Sequence, residues 1–373
     1  MQLKAGAATF LFLFIGIVSA EIYEPFQEDS ASAALEDVSN NGIPSASEVS
    51  EGPEEVDHGI NLQQIPVSKP LGEVSAVAID SNGNLIAFHR GDRIWDKDSF
   101  TDDFTMSSSL NAIPNSTIYI IEPSTGKVLA EYGENEYYMP HGLTIDSKGN
   151  IWVTDVGRHQ VLRLCPKTFK PTLILGEKLV PGDDVSHFCQ PTDVAVSADG
   201  QFVFIADGYC NARIMKFDSN GTFIEQFGNP PAQMPAKNGE FFVPHSIALI
   251  EDLNLLCVAD RENQRIQCFT AGLSKGHRQT SPFGMFVTKA ENIGRVYAIR
   301  EKRHYLVGIT GAGESSQQQQ QEEIEPQVFI IDMDTGKAET YAKGLEGHSL
   351  AVDTSGNVFI AQMHPNQILH MQL

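Results

Sequence analysis

One short pattern returns five times along this chain. It reads VSAVAIDSNGNLIAF from Val74, PHGLTIDSKGNIWVTD from Pro140, PTDVAVSADGQFVFIAD from Pro191, PHSIALIEDLNLLCVAD from Pro244 and HSLAVDTSGNVFIAQ from His348. Each copy is an alternating apolar strand, a turn rich in Asp, Asn and Gly, and a second apolar strand, the pattern of a β-hairpin. The equivalent positions Ile79, Ile145, Val196, Leu249 and Val352 are separated by 66, 51, 53 and 103 residues, so the last step skips a copy. That copy is expected near residue 300, where GRVYAIREKRHYLVGI supplies two strands without the usual turn. Repeats of four short strands at roughly 40 to 50 residues belong to β-propellers, whereas β-helix and horseshoe repeats are shorter. The fold class read from the pattern is all-β, a six-bladed β-propeller.

The repeat also aligns three histidines. His141, His245 and His348 each precede the equivalent apolar residue by 4 positions, and they are 104 and 103 residues apart. They fall in blades two, four and six, about 120° from one another around the channel of such a propeller. The matching positions in blades one and three are Ser75 and Thr192, so the histidine is not a requirement of the blade itself. Three imidazoles with a fourth position left open suit a catalytic zinc. The competing reading is that each merely hydrogen-bonds within the channel.

Charge and targeting signals set the surroundings. Residues 1–20, MQLKAGAATFLFLFIGIVSA, combine a lone Lys4, an apolar run and a small-residue ending, and read as a signal peptide cleaved before Glu21. Residues 21–68 hold 11 acidic side chains and no Lys or Arg, the composition of a disordered acidic tail or propeptide. The formal net charge of −22 speaks against nucleic acid, since phosphate binding needs a basic surface. No later run reaches the roughly 20 apolar residues of a membrane span, so a secreted or lumenal protein is expected. One propeller domain fills 69–373, with a glutamine-rich loop insertion at 311–326. A monomer is the expected state.

Five cysteines in a secretory chain predict two disulfides and one unpaired thiol. Cys257 and Cys268 flank the hairpin CVADRENQRIQC and face each other across its strands, Cys189 and Cys210 form the second pair, and Cys165 is left as a buried small hydrophobe. Asn115 and Asn220 lie in glycosylation sequons. Three polar residues stand where strands give way to loops: Arg90, Tyr209 and Arg261. Such positions are natural site positions, although Asp207 and Asp260 could instead cap turns with the arginines paired to them on the surface.

The segments FHRGDRIWD, MPHGLTID, WVTDVGRHQV, HFCQPTDVAV, DGYCNARI, VPHS and CVADRENQRIQCF, in this order and spacing, resemble the peptidyl-α-hydroxyglycine α-amidating lyases, the lyase half of the peptide-amidating monooxygenase. The likeness runs from about Leu71 to Leu373 and implies blades of the NHL-repeat type. It implies zinc on His141, His245 and His348, a catalytic Tyr209, active-site arginines at Arg90 and Arg261, and disulfides Cys189 with Cys210 and Cys257 with Cys268. It further implies a calcium ion on the backbone carbonyls of Val77 and Leu143 and on a carboxylate that follows the third histidine. Here that residue is Ser349, in Glu346-Gly347-His348-Ser349 where the family has Met-Pro-His-Asp. Calcium affinity is therefore expected to fall, because hard calcium prefers charged oxygen. Gln362 and Met363 also stand where related chains carry a more polar, Asp-containing stretch.

The implied reaction releases a peptide amide and glyoxylate from a C-terminal α-hydroxyglycine, in the lumen of secretory granules. A separate copper-dependent hydroxylating monooxygenase is the implied upstream partner. Two alternatives accompany this reading. One is a propeller that binds peptides or partners without turnover. The other is a calcium-dependent propeller lactonase, whose site would be built from carboxylates and amides.

Overall fold

The computed structural model describes residues 61–273, 281–312 and 324–373. The expected signal peptide, the acidic stretch up to residue 60 and most of the glutamine-rich insertion lie outside the described residues. Six four-stranded antiparallel sheets make six blades. Each recurring hairpin forms the two strands of a blade nearest the axis: Val74–Ile79 with Leu85–His89, Pro140–Ile145 with Ile151–Asp155, Pro191–Val196 with Phe202–Asp207, Pro244–Ile250 with Leu255–Asp260, and Ser349–Val352 with Asn357–Gln362. The sixth hairpin lies where the spacing demanded it, Arg295–Lys302 paired with Tyr305–Gly311. Its turn is only Arg303 and His304, both at positive φ (51° and 67°), a tight two-residue turn made without the Asp, Asn or Gly that marks the other copies.

Burial follows the alternation. The two strands nearest the axis are almost wholly buried, while outer strands such as Lys127–Tyr132 alternate exposed and half-buried. Six main apolar clusters form, one per interface between neighbouring blades; the cluster joining blade six to blade one holds Val74, Leu85, Phe359 and Ile368. Apolar burial is the dominant favourable term in folding, so the ring is held by blades packing face to face around it.

Blade six takes its outermost strand from the other end of the chain: Gln63–Gln64 pairs with Gln367–Gln372, and Ile65 N–H donates to the Ile368 carbonyl at 2.9 Å. The folded ring therefore starts ahead of residue 69, the boundary drawn from composition, because Ile65 and the ladder ahead of it close the circle. The insertion falls inside blade five, since its flanking strands Tyr305–Gly311 and Gln327–Asp332 pair with each other. Both disulfides form as expected, Cys189–Cys210 and Cys257–Cys268. Cys165 is unpaired but partly exposed rather than buried. It occupies the turn after Gln160–Leu164, where its thiol meets Thr168 and backbone amides that hold its pKa below the ordinary thiol value. Asn115 and Asn220 are exposed. Among the described residues no helix is long and apolar enough to cross a membrane.

Candidate active site

One end of the channel gathers nearly every residue singled out from the sequence. The innermost strands begin there, and the loops from second to third strand open there. An aspartate at the end of the second strand clamps the two together in three blades. Asp155 accepts from the amides of Tyr138 and Met139, Asp207 from Cys189 and Gln190, and Asp260 from Phe242. Asp207 and Asp260 also hold arginines, but these are Arg213 at 3.0 Å and Arg265 at 2.7 Å, not the predicted pair. Arg90 and Arg261 pair instead with Glu73 at 2.6 Å and Glu262 at 2.7 Å, which hold them at the channel. Blade one uses His89 in the same place, with Nδ1 accepting from the amides of Gly72 and Gly91.

The histidines enter the channel at irregularities in the innermost strands. Pairing slips at Ser75, at His141 and Gly142, at Thr192, at His245 and at Tyr297, each flanked by regular register. A bulge leaves one residue unpaired and re-aims its side chain. His348 stands just before Ser349–Val352, and its amide donates to the Ala361 carbonyl.

Each imidazole is then fixed by its neighbour. His141 Nδ1 donates to the Thr192 carbonyl at 2.8 Å, His245 Nδ1 to the Tyr297 carbonyl at 2.6 Å, and His348 Nδ1 to the Ser75 carbonyl at 2.6 Å. A blade bearing histidine thus always leans on the next blade, which bears none. With the proton on Nδ1, every Nε2 presents a lone pair to the axis, the tautomer that metal-binding imidazoles require. The ligand atoms lie within 4.8 Å of one another, and all three residues are buried. Burial holds the three neutral: His348 is pushed down to about 3, and His141 and His245 fall well below the ordinary value, with Arg261 adding to the push on all three and Arg90 to that on His141 and His348. Neutral, convergent and buried nitrogen donors fit a borderline-soft divalent metal such as zinc.

Tyr209 completes the cluster. Its hydroxyl lies 2.9 Å from His141 Nε2 and 3.0 Å from His245 Nε2, and its single proton serves one acceptor at a time. Arg261 lies over the rings of Tyr209 and Tyr297 at 5.2 and 5.0 Å, and its Nη1 reaches the Tyr209 hydroxyl at 3.4 Å. Trp95 packs on Tyr209 at 4.8 Å between ring centres. Burial pushes the Tyr209 phenol up, and Arg261 and Arg90 oppose that push. Arg90 is itself anchored, by Glu73 at 2.6 Å, the Pro140 carbonyl at 3.0 Å and the Trp95 ring at 5.3 Å. Met363 Sδ lies 3.8 Å from Arg90 Nη1, which places that late residue at the site. Glu346, in contrast, reaches towards the Ala312 amide, and Gln362 donates to the Glu346 carbonyl.

Sequence reasoning missed Glu73, Trp95 and Tyr297. Tyr297 had a signal in its repeat position within GRVYAIR. Glu73 directly precedes the copy that starts at Val74 and faces Arg90 across the end of that hairpin, and Trp95 lies in the segment FHRGDRIWD, but neither position recurs as the same residue in blades two, three and four. The calcium set implied by the resemblance does not fit. Ser349 is buried with a hydroxyl that finds no partner, and no carboxylate stands at its position.

NHL repeats match residues 137–164, 188–217 and 241–269, which are most of blades two, three and four. A probable peptidyl-alpha-hydroxyglycine alpha-amidating lyase of Caenorhabditis elegans is 52% identical over 307 residues, covering 82% of this chain and 84% of that protein. The chain belongs to the peptidyl-alpha-hydroxyglycine alpha-amidating lyase family. The members of that family are carbon–nitrogen lyases. The peptidyl-glycine alpha-amidating monooxygenase of Mus musculus is 41% identical over 306 residues, and this chain spans only 30% of its length. A gluconolactonase of Xanthomonas campestris shares the fold, with a TM-score of 0.52 over 85% of this chain and 90% of that one, but at 11% identity.

Proposed function

We propose that this chain is a zinc-dependent lyase that cleaves the N–Cα bond of a peptide ending in α-hydroxyglycine. The products are the peptide amide and glyoxylate. The observation that supports this best is the convergence of three buried imidazoles within 4.8 Å of one another, two of them against the Tyr209 hydroxyl, with two arginines alongside. Zinc on His141, His245 and His348 would supply Lewis acidity that makes a neighbouring hydroxyl easier to deprotonate.

The rest falls to side chains. The hydroxyl proton leaves to Tyr209, the oxygen becomes the aldehyde oxygen of glyoxylate, and the N–Cα electron pair goes to the departing nitrogen, which takes up a proton. No electron acceptor is required. An ordinary phenol is a poor base near neutral pH, so Tyr209 needs cationic surroundings. Arg261 supplies them directly and Arg90 from a short distance. Arg261 and Arg90 also suit the terminal carboxylate of the substrate, since a guanidinium fork pairs with carboxylate in two parallel bonds. Glu73 holds Arg90 in place for that task.

We further infer that the protein works in the secretory lumen, on peptides hydroxylated by a separate copper-dependent monooxygenase, because residues 1–20 have the pattern of a signal peptide. Calcium enters no step. The test is a synthetic peptide ending in α-hydroxyglycine, incubated with protein stripped of metal and resupplied with zinc. Amide and glyoxylate in equal amounts support the proposal. Peptide binding without either product sinks it and favours a non-catalytic propeller; hydrolysis of a lactone with calcium would favour a lactonase.

A further inference from the structure

One step below the histidines, the innermost strands form a second ring: Ala76, Gly142, Asp193, Ser246, Ala298 and Ser349. Asp193 is the only carboxylate lining this part of the channel among the described residues, and it is 3% exposed. An unpaired carboxylate at that depth is strongly unfavourable. Arg300, also lining the channel, comes from blade five, two blades away. Its Nη1 donates to Asp193 Oδ2 at 2.9 Å, to Ser246 Oγ at 3.0 Å and to the Ile299 carbonyl at 2.8 Å. Ser246 Oγ and the Ile247 amide also donate to Asp193 Oδ2, at 2.7 and 3.2 Å, and the Val194 amide donates to Oδ1 at 2.9 Å. The carboxylate is thus saturated with donors drawn from blades three, four and five.

We propose that the Arg300 guanidinium is the resident cation of the channel, so that the propeller holds its centre together without a divalent hard cation. Three observations converge on this. The Asp193 oxygens are occupied by hydrogen-bond donors and have little left for a metal. Ser349, placed where a carboxylate would complete a calcium site, carries none. The Arg300 guanidinium already occupies the space beside Asp193, so calcium there would have to displace it from a buried carboxylate that cannot be left unpaired. Calcium asks for six to eight oxygens, several of them charged, which this ring does not provide. The Arg300–Asp193 pair does structural work instead, cross-linking blades that are not neighbours. The inference does not depend on the lyase reaction.

The experiment measures calcium directly and reads stability rather than turnover. Protein is stripped on a chelating resin and dialysed into zinc alone, then analysed for metal content and melted with and without millimolar calcium. The expected result is no bound calcium and a melting temperature unmoved by the ion, since a ligand that does not bind the native state cannot shift it. Arg300→Met should lower the melting temperature by several degrees, because a buried carboxylate loses its partner. The double variant Arg300→Ser with Ser349→Asp should regain a melting temperature that rises with calcium. One calcium per wild-type chain, with a melting temperature that depends on it, overturns the proposal. An Arg300→Met protein that melts with the wild type overturns the cross-linking role. If that variant fails to fold, the wild-type calcium measurement still decides.

Discussion

Blades three and four carry the same bulge at the same point of the innermost strand, and the side chain there is Thr192 in one and His245 in the other. The two kinds of blade divide the labour. Even blades supply imidazoles, and odd blades supply the main-chain carbonyls of Ser75, Thr192 and Tyr297 that orient them. The contrast teaches that the same aiming point recurs from blade to blade and that residue identity decides which copies become ligands. It also explains why an odd-blade residue can vary: what it lends to the imidazole is a carbonyl, which every residue has, while Tyr297 in addition carries Arg261 over its ring.

The sharpest way to break this comparison is to truncate one blade of each kind. His245→Ala removes a metal ligand and should cost on the order of a thousandfold in kcat, the several kcal/mol expected when a Lewis-acid site is lost. Thr192→Ala keeps the carbonyl that accepts from His141 and loses only hydroxyl bonds to the Pro244 and Ala206 carbonyls. Its turnover should stay within about threefold and its stability fall by about 1 kcal/mol. Equal losses in kcat from the two variants would refute the division of labour.

Next in size is Tyr209→Phe, which keeps the ring between Trp95 and Arg261 but removes the hydroxyl. Turnover should drop about a hundredfold or more, the range for losing a general base, with zinc content unchanged. Near-normal turnover would remove the tyrosine from the mechanism.

The disulfides offer a third contrast, between two neighbouring blades. Cys189–Cys210 closes a loop of 21 residues and ends next to Tyr209, whereas Cys257–Cys268 joins facing residues of adjacent strands. Replacing both cysteines of the first pair by serine should cost about 3 kcal/mol on chain-entropy grounds and lower kcat as well, because the Tyr209 loop loses its tether. Replacing the second pair should change stability and leave kcat alone. Thermal melts beside single-turnover rates separate the two.

How much of this was legible beforehand follows the same logic. The hairpins and the histidines were readable because both repeat, and even the degenerate copy at Arg295–Gly311 was located by arithmetic on the spacing. The strand Gln63–Gln64 was not, for it is two polar residues whose only reason to be a strand is a partner some 300 positions away at Gln367–Gln372. Glu73 and Trp95 were missed for another cause: both lie beside Arg90 in blade one, at positions where blades two, three and four carry no matching residue. Cys165 was expected to be buried because unpaired cysteines usually are, but it falls on a turn. Arg300 was invisible as a site residue because nothing local pairs it with Asp193, 107 residues earlier.

The smallest effect concerns His89, blade one's counterpart of the clamping aspartates. Burial pushes its imidazole down to about 4. The unfolded chain takes up that proton near the ordinary value of about 6.5, so the clamp favours the folded state above that pH and loses the advantage as pH falls towards 4. Roughly 2 kcal/mol of it should be gone by pH 5. His89→Gln, which still offers an oxygen to the Gly72 and Gly91 amides, should flatten the stability profile across that window. A profile unchanged by the substitution would mean the clamp does not titrate there.

The most direct test of the central claim joins metal content to chemistry. Zinc is titrated into stripped wild-type protein while bound metal and glyoxylate release from an α-hydroxyglycine peptide are followed together, with His245→Ala as the companion. On this account both signals rise in step and level off at one zinc per chain, and the variant shows neither at the same concentrations. Full glyoxylate release from metal-free protein, or from His245→Ala, would contradict it.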